Sequence, residues 1–387
     1  MIAYNKTELQ NHFLINEAHS LHKAGFISKE NLTTIENDLP TVKSQKNILI
    51  RLGMAFLGFL LYSSICGFVT LIGLDVIDRN FNIILFFYAL IGFVGVEFFV
   101  QQKFKGQGLD DLFLIGGQAL LAIAIGITTE GYELVIASIA TGVSLLTYIR
   151  YVNLNSVYIF CIASTATVVY ALFETGSLGK TILPFALLLF ALIMYFITKK
   201  LALKKAFHFY HKGIIVVHYF SFILFYFSAN YLVVRELSVL LLENEIPANE
   251  DIPFAWFFYA FTIIVPTAYI FYGLFTKEKM VLWIGFATTL FSIYTIRYYH
   301  HLLPTEVALT LGGLLLFTIT YFCIKKIKDK TTGITFQPDR FVNSSDFIHT
   351  EALILTSQFG LKPETNIESP MEFGGGDFSG GGSGGSF

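Results

Sequence analysis

The stretch Lys199-Lys200-Leu201-Ala202-Leu203-Lys204-Lys205-Ala206-Phe207-His208-Phe209-Tyr210-His211-Lys212 is the densest basic run between any two apolar segments of the 387-residue chain. Five lysines in one short loop are retained on the cytosolic side of a membrane, and long apolar segments flank the loop on both sides. Fixing this loop therefore fixes the sidedness of every other loop by alternation.

Composition supports a membrane reading. The chain is 54% hydrophobic and 14% charged, with mean hydropathy +0.63, whereas soluble domains carry about 25% charged residues. The net charge of -2 offers no basic face for a duplex, so nucleic acid is not an expected partner. Cys66, Cys161 and Cys323 lie inside separate apolar segments without close spacing, which excludes a zinc knuckle and argues against a disulfide framework. Residues 1–46 are polar throughout, so no cleavable leader is expected and insertion begins with the first apolar segment.

Ten apolar segments follow, at 47–74, 82–101, 109–128, 131–149, 154–173, 179–198, 213–235, 253–276, 280–298 and 305–324. Each is close to the ~20 residues a helix needs to cross hydrocarbon. On the side of the opening stretch the loops carry Lys103, Lys105, Arg150, Lys199, Lys200, Lys204, Lys205, Lys212, Lys277 and Lys279; the opposite side has Arg79, Lys180, Arg235 and Arg297. That opposite side also gathers acids, among them Asp75, Asp78, Glu130, Glu174, Glu236, Glu243, Asp251 and Glu306. The asymmetry predicts an all-α polytopic integral membrane protein of the inner membrane, with about ten transmembrane helices and both termini cytosolic.

Outside the membrane domain (47–326) three further regions are expected. Thr7-Glu8-Leu9-Gln10 has the form of a capping box and opens a helix with Leu9, Phe13 and Leu21 on one face; Ser28 caps a second that Pro40 ends, giving a hairpin over 1–46. Residues 327–370 form a tail with one amphipathic helix marked by Ile348, Ala352, Leu355 and Phe359, and 371–387 are a Gly/Ser/Phe-rich disordered end. Leu237–Leu242 reads as a short interfacial helix.

At Ala24-Gly25-Phe26-Ile27-Ser28-Lys29-Glu30 the chain resembles the N-terminal signature of a broad bacterial family of predicted membrane proteins built on a domain of unknown function. In that family a Gly-Leu-Ile-Ser-x-Glu-like helical turn precedes many membrane helices. The resemblance implies a cytosolic hairpin ahead of a polytopic domain, and no activity.

Candidate chemistry is sparse. Glu97 is the acid deepest inside an apolar segment, and Gln118 on the antiparallel neighbour is placed to reach toward it, the kind of pair a proton- or cation-coupled site needs. Against this stands a shallow Glu97 that snorkels to Lys103 or Lys105. Pro266 interrupts its segment in mid-membrane, as at transporter sites and also in ordinary kinked helices. On the outer face Arg297, His301 and Glu306 suggest an anion-entry site or a structural clasp. His208, His211 and His218 do not make a metal triad, since 211 and 218 are ~10 Å apart along a helix, and they read as histidines facing lipid headgroups. Faces of Ala137, Thr141 and Ser144, and of Ala163, Thr167 and Ala171, read as close helix packing.

No nucleophile motif, phosphate loop or metal motif is present, so no enzyme activity, cofactor or metal is expected. The leading expectation is a non-enzymatic inner-membrane protein, N-in and C-in, whose bilayer is one partner and whose residues 1–46 and 331–387 recruit a protein partner. The alternatives are a secondary transporter of a small solute using Glu97 and Gln118, with five-plus-five helices giving inverted halves, and a membrane enzyme acting at the outer face. Exchanging Lys199, Lys200, Lys204 and Lys205 for Glu is expected to invert or block insertion of the following segments. Reporter fusions at the far ends of segments 7 and 8 read this directly, and unchanged reporters refute the topology.

Overall fold

The computed structural model describes residues 2–299 apart from 24, 46, 73–80 and 243–250, together with 310, 313, 314, 317, 321, 322 and 325, all within the unit Met1–Gln337. Two short helices come first, α1 (Lys6–Lys23) and α2 (Lys29–Asp38). Then follow α3 (Ile48–Ile72), α4 (Phe81–Gln101), α5 (Leu109–Thr128), α6 (Glu133–Tyr151), α7 (Leu154–Phe173), α8 (Ser177–Ala202), a 3₁₀ turn (Lys205–Tyr210), α9 (His211–Ser228), α10 (Tyr231–Leu242), α11 (Ala255–Thr276) and α12 (Lys279–Tyr299). Among the described residues nine helices are long and apolar enough to cross a membrane, and the isolated bridge between Lys43 and Phe104 is the sole β-type pairing. Of the expected tenth segment only 310, 313, 314, 317, 321 and 322 are described, all helical, while the amphipathic tail helix and the Gly/Phe end fall outside the described residues.

Helix boundaries follow local chemistry. Ser28 caps α2 by accepting from the Asn31 amide at 3.2 Å. At α1 the expected capping box is corrected: Asn5 takes the role, its Oδ1 accepting from Thr7 N at 2.9 Å, so Thr7 lies within the helix. Leu9 in α1 is fully buried, while Leu21, expected on the same face, is exposed.

The membrane helices pair as antiparallel neighbours, α4 with α5, α6 with α7, α8 with α9 and α11 with α12, and each pair docks on the one before. Lipid is as apolar as Leu, so packing and hydrogen bonds rather than apolar burial hold such pairs together. Large apolar side chains accordingly face outward, Phe56, Phe68, Trp256 and Trp283 among them. Contact is closest where side chains vanish: a Cβ built on Gly92 would lie 2.6 Å from the Gly117 Cα. Across α6 and α7 the Thr141 and Thr167 hydroxyls meet at 3.0 Å.

The lysine-rich loop does not separate two parts of the molecule. It joins α8 and α9, which pack together, and Tyr148 on α6 donates to the Tyr210 carbonyl at 2.7 Å while accepting from Gly213 N at 3.1 Å. Segment 7 is also corrected. The apolar run over 213–235 is two helices, α9 ending at Ser228 and α10 beginning at Tyr231, because Asn230 caps α10 with its own side chain.

Gly92→Ala is expected to force α4 and α5 apart and to cost about 1–3 kcal/mol, as overpacking does. Gly53→Ala has nothing within 4 Å of the new methyl and is expected to be neutral. Thermal unfolding of both variants in detergent measures the difference.

Candidate functional site

Polar groups collect at both ends of the bundle. The end that carries the lysine-rich loop is built around the turn 102–108 between α4 and α5. Gly108 adopts φ +102°, and a Cβ there would approach the Arg51 carbonyl to 2.2 Å, so only glycine fits. The turn aims the Gly106 and Gln107 amides at the Asp110 carboxylate, 2.6 and 2.8 Å away. Asp111 beside it is gripped by Arg51 through Nε at 2.8 Å and Nη2 at 2.5 Å, and by Asn153 at 2.7 Å. Both carboxylates are buried, so these donors replace the water they lose.

Residues 2–45 are docked on this same end. Ala3 N donates to the Arg150 carbonyl at 2.8 Å, and Tyr4 OH to the Phe104 carbonyl at 2.8 Å. Lys43 N donates to Lys103 O at 2.8 Å and accepts through its own carbonyl from Lys105 N at 3.0 Å. Lys103 Nζ pairs with Glu8 at 2.5 Å, and the Phe13 ring lies 5.5 Å from His208. Lys105 Nζ donates to Val152 O at 3.1 Å; burial pulls its ammonium down to about 8, with nearby Asp110 and Asp111 acting the other way. Tyr4 is pushed above its ordinary value by burial and by the same carboxylates.

Glu97, one turn from the end of α4, accepts from Arg150 Nε and, at 2.6 Å, from Tyr151 OH. The expected lysine partners are thus replaced by Arg150, since Lys103 goes to Glu8 and Lys105 to Val152. Gln118 does not reach Glu97. Its Nε2 donates to Thr147 at 2.6 Å and Ser156 at 2.9 Å, joining α5 to α6 and α7, while its Oε1 is buried without a partner. A buried acceptor left bare costs about 1–3 kcal/mol.

Midway along α11 Pro266 is fully buried, and a polar network runs from it toward the opposite end of the bundle. Lacking an N–H, it strips the Thr262 carbonyl of its helical donor. Ser292 Oγ on α12 donates to that carbonyl at 2.6 Å and meets Tyr226 OH at 2.7 Å. Thr262 Oγ1 in turn accepts from Tyr231 N at 3.0 Å, and Asn230 Oδ1 accepts from Leu232 N and Val233 N at 3.1 and 3.4 Å. The first amides of α10 are therefore all satisfied. Beyond lie Tyr231 OH donating to Asp251 at 2.6 Å, Arg235 Nη1 donating to Tyr231 OH at 2.7 Å, and Tyr299 OH donating to Glu236 at 2.6 Å. Pro266 belongs to this network and is not near Glu97 or Gln118.

Arg297 sits in the last turn of α12, and its proposed companions His301 and Glu306 fall outside the described residues. Of the histidines, His208 packs on the hairpin rather than facing lipid, and His218 stacks on Tyr195 at 4.9 Å with its Nδ1 3.1 Å from Thr198 Oγ1. Among the described residues no three metal-ligating side chains converge. Lys199, Lys200, Lys204 and Lys212 are exposed, and the side chain of Lys205 is not described.

Sequence reading missed Asp110 and Asp111, whose adjacency just after Gly106-x-Gly108 was the available signal, and the buried Asn230, a lone amide in a Phe/Tyr-rich run. Among the described residues nine apolar, membrane-length helices define a multi-pass α-helical membrane protein. Compared with protein-family models, curated proteins and solved structures, the chain matches none.

Ser292→Ala is expected to destabilise the protein by about 1–3 kcal/mol by orphaning the Thr262 carbonyl. Pro266→Ala supplies a new N–H to that carbonyl, so the double variant is expected to be more stable than the sum of the single changes. Chemical or thermal unfolding of the four-member cycle decides it, and strict additivity refutes the link.

Proposed function

We propose that this protein is a non-enzymatic, multi-pass inner-membrane protein whose cytosolic face recruits a partner protein. The carrying observation is that residues 2–45 and the loops 102–108, 150–153 and 203–212 are assembled into one platform before any partner arrives. Backbone bonds from Ala3 to Arg150 and between Lys43 and residues 103 and 105 fix the hairpin in place. On its outer side the hairpin leaves Leu14 50%, Leu21 38% and Phe26 59% exposed. Leu14 and Leu21 are seven residues apart and share a helical face, so with Phe26 they offer an apolar strip to a partner helix. In this reading both termini are cytosolic, residues 331–387 supply a second attachment, and the Ala24–Glu30 signature places the chain among bacterial hairpin-plus-membrane-domain proteins.

Transport gains less support. Glu97, Gln118 and Pro266 lie in three separate settings, and Glu97 is already paired with Arg150. In a strain lacking the gene, Leu14→Gln/Leu21→Gln/Phe26→Gln made at the wild-type level is expected to fail to restore the phenotype, as is removal of 331–387, whereas Glu97→Gln restores it. Rescue by the triple variant together with failure of Glu97→Gln overturns recruitment in favour of transport.

A further inference from the structure

One face of α1 has a regular pattern. Gln10, Leu14, Glu17 and Leu21 recur at spacings of four, three and four residues, so at 3.6 residues per turn they fall within about 60° of arc. All four are exposed, while Asn11, Ile15 and Ala18 on the adjoining face are buried. The spacing is that of the inward positions of a two-stranded coiled coil, here running about 16 Å along the helix. Leu14 and Leu21 occupy two such positions, and Glu17 takes the one between them.

Glu17 decides what can cover this face. Among the described residues no ion pair engages it, whereas Glu8 is held by Lys103 and Glu36 lies 2.9 Å from His19. A cover that buries both leucines also takes the Glu17 carboxylate out of water, and a buried carboxylate is tolerated only beside a cation or other strong donors. A bilayer surface supplies none, because the cytosolic leaflet is itself negatively charged. A second copy of the chain fails for a related reason. Two α1 helices paired so that both leucines are covered, parallel or antiparallel, bring Glu17 beside the Glu17 of the other copy, and that contact is repulsive.

Resting on the recruitment of a partner by the hairpin, we propose that the occupant is one amphipathic helix carrying an Arg or Lys between two apolar residues seven positions apart, with the cation paired to Glu17. The leucines supply contact area and the carboxylate supplies selection. A helix with an acid or an apolar residue at the middle position leaves Glu17 buried and unpaired, so it is rejected. Arg suits the position better than Lys, because its planar fork meets a carboxylate through two parallel hydrogen bonds.

The test uses the full chain in phosphatidylcholine nanodiscs, whose surface carries no net charge, and three fluorescent helical peptides. The peptides share an Ala/Gln background with leucines seven positions apart and differ only at the inward position between them, which is Arg, Leu or Glu. Fluorescence anisotropy is expected to show the Arg peptide binding about ten- to hundredfold tighter than the other two, the range a charge-assisted hydrogen bond provides. Glu17→Arg, a change at an exposed position, is expected to reverse the order of the Arg and Glu peptides and to leave the unfolding temperature unchanged. Leu14→Gln/Leu21→Gln is expected to abolish binding of all three. A benzophenone amino acid in place of Gln10 is expected to label the bound Arg peptide on irradiation. Absence of saturable binding by the Arg peptide, equal affinities of the Arg and Glu peptides, or an order that survives Glu17→Arg overturns the proposal, as does label on lipid or on a second copy of the chain in place of the peptide. Recruitment itself is read by rescue of the deletion strain, so a failure of the charge rule and a failure of recruitment are told apart.

Discussion

Water is absent from the bilayer core, and every polar group there must find its partner inside the protein. The Thr262 carbonyl shows how far this constraint reaches. Pro266 removes its donor, Ser292 on the next helix replaces it, and Ser292 then fixes Tyr226 on α9. Thr262 meanwhile caps α10 through its hydroxyl, and Asn230 ties the break between α9 and α10 to Thr295. A single missing N–H is thus answered by a network that binds four helices. The carbonyl that this proline frees is already satisfied inside the protein.

At the other end the same constraint works on charge. Two adjacent buried carboxylates would be prohibitive without donors, and the glycine turn, Arg51 and Asn153 supply them. The chain that makes this turn also presents the backbone edge to which Lys43 pairs. The polar hairpin is therefore seated by the membrane domain's own solution to burying Asp110 and Asp111. Glu97 and Arg150 close the rim, and the Arg150 carbonyl receives the Ala3 amide. Hairpin, turn and helix ends are thus joined into one surface. The bare Oε1 of Gln118 stands out against this background because every neighbouring polar atom in its cluster is paired.

The spans were legible in the sequence because they depend only on local composition and length. The segment 109–128 coincides with the helix Leu109–Thr128, and 154–173 with Leu154–Phe173. The cap at Ser28 was legible for the same reason, being a contact three residues long. Where apolarity continued across a break, as at 228–235, hydropathy was blind; the break depends on Thr262 and Thr295, 31 and 65 residues from the amides and side chain they contact. Glu97 could be recognised as an acid near a helix end, but its partner lies 53 residues away in the last turn of α6, while Lys103 and Lys105 stand nearer in sequence.

The sequence by itself determined that this is an all-helical, multi-pass membrane protein, since a run of about 20 apolar residues admits no other satisfied backbone in hydrocarbon. Only the tertiary structure decided which polar groups meet: Glu97 with Arg150 rather than Gln118, the Thr262 carbonyl freed by Pro266 with Ser292, the hairpin with the 102–108 turn. Those pairings depend on which helices are neighbours and how they are rotated, and a hydrophobic pattern nearly uniform around each helix carries no record of either.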